Sequence, residues 1–319
     1  MDAIDYAIYR SLSPDGLVRF WGARRLVDPR VSAREIADKV GLSEAGVRVR
    51  LKGLEELGYL RGRETGINPS LFGVSLVVSE IPVREPNDAE RLIRELALVD
   101  GVTFARDILD EKDRAIRVYY VSDTPAATAR RTALLRKLAP TPQFRGPTPY
   151  WIPPCERELT RLDWRLLEAF RAHPEGTQSD LAKAVGISLK TTASRFHRLL
   201  DAKACWSALS SSSEELPLSL FTVTVRDGVD SLAVTRAIAG AHPSWMPVAP
   251  DGYGVSPEDA AGLVVGLVPA EAPAALEQAL RRTLAIDGVA NVRRTFALGS
   301  ATFAQWYDDR LSAQMKSLK

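Results

Sequence analysis

Ile36-Ala37-Asp38-Lys39-Val40-Gly41-Leu42-Ser43 is answered 145 residues later by Leu181-Ala182-Lys183-Ala184-Val185-Gly186-Ile187-Ser188. In each stretch an apolar stripe at helical spacing runs into a glycine, and a serine follows two residues on. Glycine suits the left-handed residue that ends a helix, and serine accepts from the first free N–H groups of the next one. The reading is a short helix, a turn and a second helix, in duplicate. That is a helix-turn-helix, whose second helix ordinarily enters a DNA major groove.

The flanks extend both copies. Ser32-Ala33-Arg34-Glu35 has the form of a capping box, with Ile36, Ala37 and Val40 on the buried stripe. Ser43 caps the next helix, over 43–57, with Val47, Leu51, Leu54 and Leu57 facing inward. In the second copy Thr160-Arg161-Leu162-Asp163 opens a helix that buries Leu162, Leu166, Leu167 and Phe170. Residues 177–185 form the middle helix and 188–201 the third, with Thr192, Phe196 and Leu199 at the positions of Val47, Leu51 and Leu54. The first helices align Asp5 with Asp163, an offset of 158, so the first copy holds 13 extra residues around 17–28. Phe20, Trp21, Arg24 and Arg25 in this insert read as packing against a neighbouring domain, with an extra DNA contact as the alternative. Residues 59–67 read as a wing with its turn at Thr65-Gly66, and 205–213 as a second wing without Lys or Arg.

Between and after these units the hydrophobic period changes. Residues 74–82 read as a strand, 87–98 as a helix, 102–109 and 115–121 as strands, 125–138 as a helix and 144–152 as a proline-studded edge strand. The second half repeats this with a strand at 218–225, a helix at 231–241, a strand at 261–268, a helix at 272–284 and a strand at 289–298. A further strand is expected within 245–256, where Pro and Gly interrupt the pattern. The order is βαββαβ, a ferredoxin-like split βαβ, twice. Domains are therefore set at 1–68, 69–154, 155–209 and 210–299, with an amphipathic helix at 300–319. Phe303, Trp306, Tyr307, Leu311, Met315 and Leu318 share one face of that helix, which is expected to pack on its own domain or else to form a homodimer contact. Trp151, Trp206 and Trp245 fall near the domain junctions, where packing is the expected role.

Composition narrows the function. Of 319 residues, 42 are Lys or Arg and 40 Asp or Glu, so a basic footprint has to be local. Cys155 and Cys205 stand alone, which suggests neither a disulfide framework nor a zinc site. No apolar run reaches the roughly 18 residues of a membrane span, and the acidic start is unlike a signal peptide; a cytoplasmic protein is expected. With three histidines, no nucleophile–base spacing and no glycine-rich phosphate loop, no enzyme, cofactor or metal is expected.

Double-stranded DNA is the expected partner. On the first recognition helix Arg48 and Lys52 face outward one turn apart, with Arg50 flanking and Ser43 at the cap. Arg61 and Arg63 on the wing are natural phosphate contacts. The second helix offers Ser188, Lys190, Thr191, Ser194, Arg195, His197 and Arg198. Because the two helices differ, an asymmetric DNA site is expected.

The first copy resembles the helix-turn-helix signature of the Lrp/AsnC family of leucine- and asparagine-responsive transcription regulators. The residues are Ile4-Asp5, Glu35-Ile36-Ala37, Val40-Gly41-Leu42-Ser43, Val47, Arg48, Leu51, Leu54 and Gly58-Tyr59-Leu60-Arg61. The second copy follows it more loosely, and nearly the whole chain reads as two tandem units where the family usually has one. The resemblance implies an α+β fold, two winged helix-turn-helix domains alternating with two ferredoxin-like, ACT-like βαββαβ domains, arranged as an intrachain pseudo-dimer with its two sheets face to face. It further implies sequence-specific DNA binding modulated by a small, amino-acid-like effector at the βαββαβ domains. The family's Gly-Asp-x-Asp-like effector turn has no clear counterpart; the corresponding turns are 110–113 and about 249–256. Sirohaem decarboxylases resemble the same layout, but their Arg-Arg run and His-Asn-Tyr segment have no match here. A protein-interaction or effector-sensing module without DNA binding is the other alternative.

Overall fold

The computed structural model describes residues 3–11, 33–56, 63–110, 113–139, 143–155, 157–173, 177–209, 218–242, 246–248, 263–269 and 273–318. The insert with Phe20, Trp21, Arg24 and Arg25, the Ser32 cap, Arg61 and Trp245 lie outside these residues, as does all of 249–262. No helix among the described residues is long and apolar enough to cross a membrane.

The first head consists of α1 (Ala3–Ser11), α2 (Ala33–Val40) and α3 (Glu44–Glu56). Its core is Ile8, Ile36, Ala37, Val47 and Leu54. Gly41 ends α2 at φ +70°, where a side chain would be strained, and its N–H and that of Leu42 both return to the Ala37 carbonyl.

Next come β1 (Arg63–Ile67), a 3-10 turn (Pro69–Phe72), β2 (Ser75–Val83), α4 (Pro86–Leu96), β3 (Val102–Leu109), β4 (Arg114–Ser122), α5 (Pro125–Leu138) and β5 (Arg145–Tyr150). The second head is α6 (Arg161–Ala172), α7 (Gln178–Val185) and α8 (Leu189–Asp201), followed by β6 (Cys205–Leu209). The chain ends with β7 (Leu218–Val225), α9 (Ser231–Ala241), β8 (Met246–Val248), β9 (Leu263–Pro269), α10 (Pro273–Leu284), β10 (Val289–Thr302) and α11 (Gln305–Ser317).

Each half-sheet has the strand order expected of βαββαβ: β5-β2-β4-β3 in the first and β10-β7-β9-β8 in the second. Val77, Ile81, Leu92, Leu96, Ile116 and Leu135 lie between the first half-sheet and its helices. Phe221, Val223, Val234, Ile238, Leu276 and Val292 do the same in the second. The halves are not two separate sheets laid face to face. β10 is 14 residues long, four beyond the expected strand end. It pairs antiparallel with β7 up to Ala297 and with β3 from Phe296 to Thr302. One eight-stranded ladder results among the described residues.

Candidate nucleic-acid interface

The two heads hold their recognition helices by the same local devices. Ser43 Oγ accepts from the Gly46 N–H at 3.1 Å, and Ser188 Oγ accepts from the Thr191 N–H at 3.1 Å. The Thr191 hydroxyl lies 2.8 Å from Ser188 Oγ, so both side chains belong to the cap. Gly186 ends α7 at φ +74°, as Gly41 ends α2. Thr177 and Asp180 form a capping box on α7, and Thr160 and Asp163 another on α6.

An ion pair repeats with them. Arg50 Nη1 is 2.7 Å from Asp5 Oδ1, tying α3 to α1. Arg195 Nη1 is 2.9 Å from Asp163 Oδ1 and 3.1 Å from Thr160 Oγ1, tying α8 to α6. Burial pushes the Asp163 carboxyl up, but the Thr160 hydroxyl and N–H and the Arg195 guanidinium outweigh it and hold it below the usual aspartate value. The expectation that Arg50 and Arg195 face DNA is therefore corrected. Both guanidiniums point back into their own heads, where an acidic partner on the first helix holds the recognition helix at its crossing angle.

The outward faces differ in charge. On α3, Arg48 Nη2 lies 2.6 Å from Glu44 Oε1 and Lys52 Nζ 3.5 Å from Glu56 Oε1, all four exposed. Such exposed pairs contribute a few tenths of a kcal/mol and open readily, so Arg48 and Lys52 remain available to a polyanion. Their local field is nonetheless cancelled, since α3 carries three Lys or Arg and three Glu. Helix α8 carries Lys190, Arg195 and Arg198 against Asp201 alone. Lys190, Ser194 and Arg198 are exposed at successive i, i+4 positions and form one line along the helix. Lys190 has no ion-pair partner among the described residues, and Arg198 Nε makes only a 3.4 Å contact to the Ser194 carbonyl. His197 is half-buried beside that line.

The wings depart from expectation. Thr65 and Gly66 are not a turn: they lie inside β1, which pairs antiparallel with β6 from Arg63↔Leu209 to Ile67↔Cys205. The two heads thus share a two-stranded ribbon. Gly66 is required by close approach, because a Cβ there would overlap the Trp206 indole. The Arg63 backbone belongs to this ribbon; its side chain and the whole of Arg61 are outside the described residues.

The ribbon docks onto the second head. Ile67 is buried with Trp164, Leu166, Phe170, Leu199 and Cys205. Asn68, fully buried, donates from Nδ2 to the Pro153 and Lys203 carbonyls at 2.8 Å each and accepts from the Ser70 N–H at 2.9 Å. Nothing in the sequence singled Asn68 out, because its partners lie 85 and 135 residues away. Helix α11 does not pack on its own βαββαβ half. Leu311 enters the core of the second head with Met315 and Leu318 beside it, Asp308 pairs with Arg171, and Trp306 stacks edge-on against Phe72. Among the described residues no three His, Cys, Asp or Glu side chains come together as a metal site.

The heads coincide with matches to a family model described as winged helix-turn-helix DNA-binding, at residues 26–61 and 159–202. The HTH-type transcriptional regulator LrpA of Pyrococcus horikoshii is 41% identical over 101 residues, 27% of this chain and 72% of that protein. The Leucine-responsive regulatory protein of Rhizobium meliloti is 30% identical over 113 residues, 32% of this chain and 64% of its own. Among solved structures, the siroheme decarboxylase NirDL aligns over 99% of this chain and 98% of its own with a TM-score of 0.51. At 11% identity that likeness shows a common fold: two helix-turn-helix and βαββαβ units in tandem. With two duplicated heads on two βαββαβ halves, and relatives of this identity and coverage, the chain belongs to the Lrp/AsnC family, as a form carrying both units in one polypeptide.

Proposed function

We propose that this chain is a non-enzymatic, sequence-specific DNA-binding transcription regulator that presents helices 43–57 and 188–201 to successive major grooves. The observation that carries the reading is the exposed line Lys190, Ser194 and Arg198 on a helix held in place by Arg195 and Asp163. Cations at this spacing reach guanine edges and phosphates in a major groove. The family resemblance supplies the regulatory half of the reading: a small, amino-acid-like effector acting at the βαββαβ halves.

The test is binding of the full chain to DNA selected from a random pool, measured across a salt series. Preferred sequences and an affinity that falls steeply with salt support the reading. Arg198→Ala and Lys190→Ala should each weaken binding by about 1–3 kcal/mol where the side chain reads a base, or lower the salt slope by about one where it meets a phosphate.

The fold shared with the siroheme decarboxylase NirDL supplies the rival reading, an enzyme of that kind. Titration of the chain with siroheme, followed by absorbance, separates the two. A saturable shift together with no preferred DNA sequence would transfer the assignment to that class.

A further inference from the structure

The two recognition helices are both 13 residues long and align in sequence at a constant offset, so their outward positions compare one for one. Where α8 has Ser194, α3 has Val49; where α8 has Lys190, α3 has Ala45. Val49 is 72% exposed, in the middle of the outward face. A β-branched aliphatic side chain at a solvated helix position loses χ1 freedom and gains no burial in return. Nor is it part of the head's core, whose buried members among the described residues are Ile8, Ile36, Ala37, Val47 and Leu54.

The surroundings of Val49 say what covers it. Arg48 and Lys52 flank it, and among the described residues each pairs with an exposed acidic partner on the same helix. A polyanion can exchange those partners, so the apolar tip would be carried into a groove between two cations that meet phosphate. Within a major groove the one apolar group on a base edge is the thymine 5-methyl.

We propose that Val49 is a specificity-determining residue that reads a thymine methyl, and that the second head, with Ser194 and Lys190 at the equivalent positions, lacks this preference. The two heads thus read chemically different half-sites, one chosen by a methyl contact and the other by polar base edges. The inference rests on the DNA-binding reading above.

The experiment uses the full chain and its selected DNA site, with thymines replaced one at a time by deoxyuridine, which removes only the methyl. Loss of about fourfold in affinity is expected at one or two thymines on one side of the site, from exposure of a single methyl contact. Val49→Ser, an exposed substitution that should leave the thermal midpoint unchanged, is expected to abolish that sensitivity. Ser194→Ala should leave it intact. Equal affinity for every deoxyuridine-substituted site, or the same methyl sensitivity in the Val49→Ser protein, overturns the proposal. Selection of no DNA sequence by the wild-type chain overturns the regulator reading itself and this assignment with it, so the two failures are told apart.

Discussion

Arg195 reaches back from the second recognition helix to place Nη1 2.9 Å from Oδ1 of Asp163, a carboxylate that is almost wholly buried. Arg50 makes the same bond to Asp5 in the first head at 2.7 Å. A bond repeated at matching positions of two otherwise diverged heads marks a requirement of the unit: the recognition helix has to be held against the first helix for its outer face to register with a groove.

Arg195→Ala strands the Asp163 charge, still bonded to Thr160 but without its counter-ion. A loss of about 2–4 kcal/mol is expected, below the full cost of a buried pair because Arg195 is partly solvated. Arg195→Lys should recover part of it, and Arg198→Ala, at an exposed position, should cost no stability. Chemical denaturation of the three variants checks this; an unchanged midpoint for Arg195→Ala, with weakened DNA binding, would return Arg195 to the reading face.

Gly66 and Trp206 make a second, reciprocal pair. Gly66→Ala drives a methyl into the indole across the shared ribbon and should cost about 1–3 kcal/mol. Trp206→Leu in the same chain should relieve the clash, so the double variant is expected to be more stable than the sum of the singles predicts. Additive losses would show that the ribbon tolerates the extra carbon in another way.

Leu311 is 4% exposed within the core of the second head. Leu311→Ala is expected to cost about 2–4 kcal/mol and to loosen the second head ahead of the first, whose core is separate. Hydrogen exchange read separately on peptides of α2 and α7 distinguishes the heads. Equal deprotection of both would mean that they unfold as one unit.

His242 is buried with Nε2 3.0 Å from Thr283 Oγ1, and burial, helped by the Arg282 charge, lowers its pKa. The unfolded histidine titrates near 6.5, so as pH falls below about 6.5 the unfolded chain takes up the proton first. Stability is therefore complete above that pH and declines as pH falls towards the lower folded value. His242→Gln, which still meets Thr283, should flatten the fall in stability that begins as pH drops below about 6.5. A slope unchanged by the substitution would assign the pH dependence to other groups.

The reach of the sequence is clearest where a residue's partner is near in the chain. Gly41 and Gly186 take the left-handed conformation, and Ser43 and Ser188 sit at their helix starts, because each requirement is met within a few residues. The βαββαβ periodicity was legible for the same reason, since alternation along a strand reports which face is covered. The recognition-helix cations divided. Arg48, Lys52, Lys190 and Arg198 face outward, whereas Arg50 and Arg195 turn inward to acids 45 and 32 residues away.

The sequence by itself therefore determined the duplicated heads, the order of their helices, the βαββαβ halves and the family. Tertiary structure alone decided that β1 joins β6 in place of a wing turn and that β10 belongs to both half-sheets. It also decided that α11 closes the core of the second head. The physical reason is common to all three. A strand edge or an apolar helix face declares that it needs a partner, but which partner it takes depends on what the rest of the chain brings within reach. Gly66 shows the difference in one residue: as a letter beside Thr65 it reads as a turn, and only the indole of Trp206 lying across it reveals why no side chain fits.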